Sequence, residues 1–102
     1  MTLDEALKAA AASLADVKRH EEPGRTEWLV HDRPFAAVAG PIAEFRLQPL
    51  VAKAALGTPD TSPSRRGPDW IAFQPVDLDR FALDRATAWL ASAYRHVGAR
   101  RN

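Results

Sequence analysis

Residues 26–47 read TEWLVHDRPFAAVAGPIAEFRL, and the punctuation of this stretch decides the fold. Thr26 to His31 carries Trp28, Leu29 and Val30, residue types that favour a strand. His31-Asp32-Arg33-Pro34 predicts a tight turn, Phe35 to Ala39 a second apolar strand, and Gly40-Pro41 a second turn. Ile42 to Leu47 then alternates. Ala43, Phe45 and Leu47 fall on one face and Glu44 and Arg46 on the other, the period of a strand with one buried side. The three strands form an antiparallel meander.

The flanking segments supply helices to cover it. On the N-terminal side, Thr2 followed by Glu5 is a capping box, in which each side chain satisfies an unpaired backbone donor of the first turn. Leu3, Leu7, Ala10, Leu14 and Val17 recur at helical spacing. They predict one helix running to Lys18-Arg19-His20, whose charge suits a helix C-terminus, with Pro23-Gly24 ending it. On the C-terminal side, Pro49 opens a second helix with Leu50, Val51, Ala54 and Ala55 as its apolar positions, and Gly57 closes it.

Residues 57–69 hold three prolines, two glycines and four hydroxyl side chains and read as a loop. Trp70 to Val76 is a fourth strand, with Ile71 and Phe73 on one face and Trp70, Ala72 and Gln74 on the other; Pro75 restricts it to an edge or a strand end. Asp77-Leu78-Asp79 offers caps for a last helix, in which Leu83, Ala86, Leu90, Ala93 and Val97 give the clearest periodicity of the chain. The prediction is a single α+β domain over 1–102, in the order α-β-β-β-α-β-α, with a small, mostly antiparallel sheet and the helices on one face.

Composition removes several functions. The chain has no cysteine, so disulfides, thiolate metal sites and a cysteine nucleophile are excluded. Asp4 and Glu5 stand where a secretory signal would carry bases, and no run approaches 18 apolar residues. The expected setting is cytoplasmic and away from membranes. Residues 1–32 carry a net charge of −3 and residues 33–102 a net +4, and eleven of the fourteen bases are arginine. Arginine suits phosphate and carboxylate recognition because its planar fork donates two parallel hydrogen bonds. Twenty alanines beside those arginines also fit a GC-rich genome.

Four segments resemble the MmcQ/YjbR family of small bacterial domains. Arg33-Pro34-Phe35-Ala36 is similar to the family's Lys-x-Phe-Ala segment, and Glu44-Phe45-Arg46-Leu47-Gln48-Pro49 to the strand leading into its central helix. Asp69-Trp70-Ile71 resembles the tryptophan that opens the fourth strand, and Ala93-Tyr94 the Ser-Tyr segment of the last helix. The sequence departs from the family where a Trp-Gly-His-Pro-like segment is replaced by His20-Glu21-Glu22-Pro23-Gly24, and where the serine before the tyrosine is Ala93. The resemblance implies a helix-flanked sheet with hairpin wings and a DNA-binding role, the latter by fold-level analogy.

The candidate chemistry follows. Ser64-Arg65-Arg66-Gly67 places two cations and a hydroxyl in the loop, a composition suited to a phosphate backbone. Arg33 and Arg46 extend that set, as does the Arg100-Arg101 tail, and Trp70 is placed to stack on a base. The competing reading is a solvated loop in an ion pair and a core tryptophan. His20, His31 and His96 are widely spaced and form no metal motif. No Gly-x-Ser-x-Gly elbow, phosphate loop or acid pair marks a catalytic centre, so no catalytic residue, metal or cofactor is expected. The leading expectation is a non-enzymatic module that binds nucleic acid. The alternative is a protein-interaction or dimerisation domain using Trp89 and Tyr94, with a small-ligand binder or enzyme third.

Overall fold

The meander is longer by one strand than the periodicity predicts, because the first helix is shorter. In the computed structural model, which describes residues 1–99, α1 spans Leu3–Ala11. The capping box is formed: Thr2 Oγ1 accepts from the Glu5 amide at 3.1 Å and Glu5 Oε1 accepts from the Thr2 amide at 2.9 Å. The bond from the Thr2 amide, followed by the Thr2 side chain, holds the Glu5 carboxyl below its ordinary value.

Beyond Ala12 the helix stops. The Ser13 hydroxyl donates to the Ala10 carbonyl at 2.9 Å, a side-chain bond that competes with helical continuation, and Asp16 turns into left-handed backbone at φ 61°. Leu14 and Val17 still pack on the core, but from a turn and from a strand. That strand, β1 (Val17–Glu22), replaces the predicted helix end and pairs antiparallel with β2 (Arg25–Val30). Pro23-Gly24, with Gly24 at φ 77°, is therefore the turn of a hairpin and not a helix stop.

His31 and Asp32, at φ 51° and 61°, make the two-residue left-handed turn that matches the twist of paired strands, and lead into β3 (Arg33–Ala39). Gly40 and Pro41 connect β3 to β4 (Ile42–Arg46), and α2 (Pro49–Leu56) follows. The 57–69 segment contains a short strand, β5 (Thr61–Pro63), that the loop composition conceals. Strand β6 (Trp70–Phe73) and α3 (Arg80–Gly98) complete the order α-β-β-β-β-α-β-β-α. All neighbours in the six-stranded sheet are antiparallel, in the order β1-β2-β3-β4-β6-β5.

The register fixes the two faces. Trp28, Ala36, Phe45 and Ile71 stand opposite one another across four strands, as do Thr26, Val38, Ala43 and Phe73. These residues are buried and face the helices. A bulge at Trp28/Leu29 leaves Phe35 outside the pairing, and its ring meets Tyr94 of α3 edge-on at 5.7 Å. Helix α3, capped by Asp79 through the Ala82 amide at 2.9 Å, buries Ala82, Ala86, Leu90, Ala93 and Val97 against the sheet. Leu83 sits beside that stripe, half-buried.

The rings of Phe45 and Phe73 meet Trp89 at 6.2 and 5.1 Å. No helix among the described residues is long and apolar enough to cross a membrane.

Phe73 is fully enclosed and Phe81 is 77% exposed on the first turn of α3. Replacing Phe73 with Ala is expected to cost about 3–5 kcal/mol through lost burial and a residual cavity. Phe81→Ala is expected to stay within about 0.5 kcal/mol. Urea unfolding of the two variants checks this, and equal losses would contradict the assignment of the core.

Candidate functional site

The predicted arginines do not converge on one surface. Arg46 ends β4 opposite Trp70, and Trp70 shares the outer face of the sheet with Glu27, Ala37, Glu44 and Ala72. Arg33 opens β3 opposite Val30, on the helical side, and is half-buried. A nucleic-acid strand lying on the outer face would not reach it. Arg65 is exposed at the tip of the loop, with no carboxylate partner among the described residues. Arg100 and Arg101 lie outside the described residues.

Arg66 is committed within the molecule. Its Nη1 donates to Glu27 Oε2 at 2.8 Å and its Nε to Glu44 Oε1 at 3.0 Å, so one guanidinium joins β2 to β4 across Ala37. Ala37 is 1% exposed although it faces away from the helices, because this bridge lies over it. The Ser64 hydroxyl bonds the second oxygen of Glu44 and accepts from the Arg66 amide at 3.1 Å. Burial opposes the charge on Arg66, but the bonds from Glu27 and Glu44 outweigh it and hold the guanidinium above its ordinary value. The residue read as a phosphate contact is thus the pin of a strap, residues 64–67, across the open face of the sheet.

Trp70 is under that strap. Its ring lies 5.1 Å from the Arg66 guanidinium carbon, and the residue is 8% exposed. It is not placed as an open stacking platform. Trp89 and Tyr94, the last-helix aromatics singled out from the sequence, are half-buried and packed against the core. Trp89 packs on Phe45 and Phe73, and Arg85 covers it at 5.0 Å while donating to Thr58 Oγ1 and the Pro59 carbonyl, both at 2.8 Å. Tyr94 donates its hydroxyl to the Ala15 carbonyl at 2.7 Å. Both rings contribute to the core, so neither presents the exposed anchor that a protein interface needs.

An open concavity lies elsewhere. A groove of about 710 Å³ runs between the start of α1, the β1–β2 turn, the β3–β4 turn and residues 75–78. Leu3, Val38, Pro41, Pro75 and Leu78 give it apolar walls, and Asp4, Lys8, Glu21, Glu22 and Arg25 give it polar ones. Lys8 is held between Asp4 at 3.1 Å and Glu21 at 3.2 Å, and these bonds, Asp4 first, raise its ammonium above the ordinary value. Arg25 reaches Glu22 at 3.6 Å. The second Asp4 oxygen, Oδ1, is enclosed with no hydrogen-bond partner. None of the arginines singled out from the sequence lines this groove.

Sequence reasoning missed this site because it placed β1 on a helix. Glu21 and Glu22 then stood at a helix end rather than across from α1. The available signal was Pro23-Gly24 between two runs that can pair. Among the described residues, no three His, Asp or Glu side chains are grouped as a metal site requires. Comparison of the chain with protein-family models, with curated proteins and with solved structures finds no match.

Removing Arg66 leaves Glu27 and Glu44 facing each other with 14% and 24% of their side chains exposed. Arg66→Ala is expected to destabilise the fold by about 1–2 kcal/mol, a buried-pair loss discounted for partial solvation. Adding Glu27→Gln and Glu44→Gln should recover part of that loss in thermal unfolding. A triple variant no more stable than Arg66→Ala would show that the charge bridge is not what the strap depends on.

Proposed function

We propose that the protein is a non-catalytic binding module whose ligand lies in the groove at the start of α1. The observation that carries this reading is the lining of the groove: apolar walls with a few convergent charged groups, in a volume typical of small-molecule sites. Three side-chain carboxylates stand against two side-chain cations and the Met1 amino group, and one Asp4 oxygen is left as an enclosed acceptor without a hydrogen-bond partner. The favoured ligand is therefore a small amphipathic amine, with its apolar body against Leu3, Val38 and Leu78. Its ammonium exchanges with Lys8 for Asp4 and Glu21, so binding replaces one ion pair with another and leaves no buried charge alone.

Amide NMR with tryptamine and phenethylamine, and with indole-3-acetate as the carboxylate counterpart, tests this. Saturable shifts are expected at Leu3, Thr26, Gly40 and Leu78 with the amines, and weaker ones with the carboxylate. Leu78→Arg, which adds a like charge at the rim, should weaken amine binding by about tenfold. Amines that shift scattered residues, or none, overturn the reading.

A second reading keeps nucleic acid as the partner, with Arg65 and Arg46 contacting phosphates. What favours it is the presentation of Arg65: exposed, without a carboxylate partner among the described residues, on a strap that Arg66 and Ser64 anchor. The resemblance to MmcQ/YjbR domains stands with it. Fluorescence anisotropy with labelled duplex and single-stranded DNA at two salt concentrations separates the readings. Phosphate contact predicts binding that weakens with salt and falls further in Arg46→Ala/Arg65→Ala. Binding unchanged in that variant, or none at low salt, removes it.

A further inference from the structure

The sheet has two edges of different character. β5 has three residues and ends in Pro63, which has no amide hydrogen to donate. β1 has six, is paired with β2 on one side, and exposes five of its six residues. Charged side chains on an edge strand ordinarily discourage further pairing. On β1 they do so selectively, because the signs are segregated: Lys18, Arg19 and His20 precede Glu21 and Glu22.

We propose that β1 pairs with β1 of a second copy of this chain, antiparallel and centred on His20, to form a continuous twelve-stranded sheet. Charge complementarity selects the register. Side chains directly opposite across a ladder point to the same face, so keeping both helical layers on one side requires each residue to face one an even number of positions away. Centring on Lys18, Arg19 or Glu21 would set that residue against its own charge. Centring on His20 sets Lys18 of each copy against Glu22 of the other, and Arg19 against Glu21.

His20 then faces its own copy, the one position of this register where a side chain meets its own kind. Val17 would meet Pro23, which has no donor, so the ladder is bounded at residues 18–22. The partners these side chains have now are exposed and exchangeable. Lys18 reaches Asp32 at 3.1 Å, Arg19 reaches Glu21 at 2.9 Å and His20 reaches Glu22 at 3.3 Å, each with about half or more of its side chain in solvent.

Sedimentation velocity over a range of protein concentrations, at about 20 mM and about 0.5 M salt, tests the pairing. The wild type is expected to dimerise, more weakly at high salt. Lys18→Glu and Glu22→Lys each place like charges opposite one another twice and should weaken the dimer at least tenfold, with unchanged circular dichroism because both positions are exposed. The double variant Lys18→Glu/Glu22→Lys has the net charge of the wild type and restores both pairs, so its dimer should return to near wild-type strength. A monomeric wild type overturns the proposal. So does a dimer that the single variants leave intact, and so does a double variant as weak as the singles.

Discussion

Trp89 of α3 rests on Phe45 of β4 and Phe73 of β6, and this contact sets where the longest helix crosses the sheet. The inner face of the sheet is a field of large apolar side chains, Trp28, Phe35, Phe45, Ile71 and Phe73, with essentially no exposure. Three helices have to cover it, and α3 covers most of it with small residues on its central stripe and one tryptophan beside them. Alanines at 82, 86 and 93 let the helix approach closely while Trp89 fills the space between β4 and β6. Arg85, over both Phe73 and Trp89, then ties this contact to the 58–59 turn and so to α2. The apolar burial and the loop geometry are thereby coupled through one guanidinium.

Among the described residues, no helix covers the other face of the sheet. A bare face this small would leave Ala37, Ala72 and Trp70 in water, and the chain covers it with residues 64–67. A four-residue strap cannot bury much apolar area, so it is held by charge. Arg66 satisfies two carboxylates from different strands, and its stem and head shield Ala37 and Trp70. An arginine used this way has little left to offer a partner. Its neighbour Arg65, one residue away, has no such ties among the described residues, so adjacent identical residues stand in different surroundings.

The proposed recognition surfaces therefore fall at the margins of the sheet. The groove forms where the β1–β2 turn, the β3–β4 turn and the start of α1 leave a gap that residues 75–78 border but do not close. β1 bears on both surfaces. Its C-terminal carboxylates line the groove and its free side is an unpaired edge. The proposed ligand site and the proposed dimer share Glu21 and Glu22, whose side chains line the groove and, in the dimer, face Arg19 and Lys18 of the second copy.

The elements that were legible are those whose burial follows a single local period. The alternation of Ala43, Phe45 and Leu47, the spacing from Ala86 to Val97, the capping box at Thr2 and Glu5 and the α+β class with helices on one face all follow from side chains that need not know their distant neighbours. β1 was not legible, because Lys18 to Glu22 have no strand preference of their own and adopt the form by pairing with β2. Nor were the fates of the arginines. Whether Arg66 faces a phosphate or Glu27 and Glu44 depends on carboxylates 39 and 22 positions away. Whether Trp89 and Tyr94 are anchors or core depends on which rings face them. The sequence by itself determined which residues must leave water, since hydrophobicity and period are local properties. Only the tertiary structure decided which charges meet, since that is a matter of register between segments far apart in the chain.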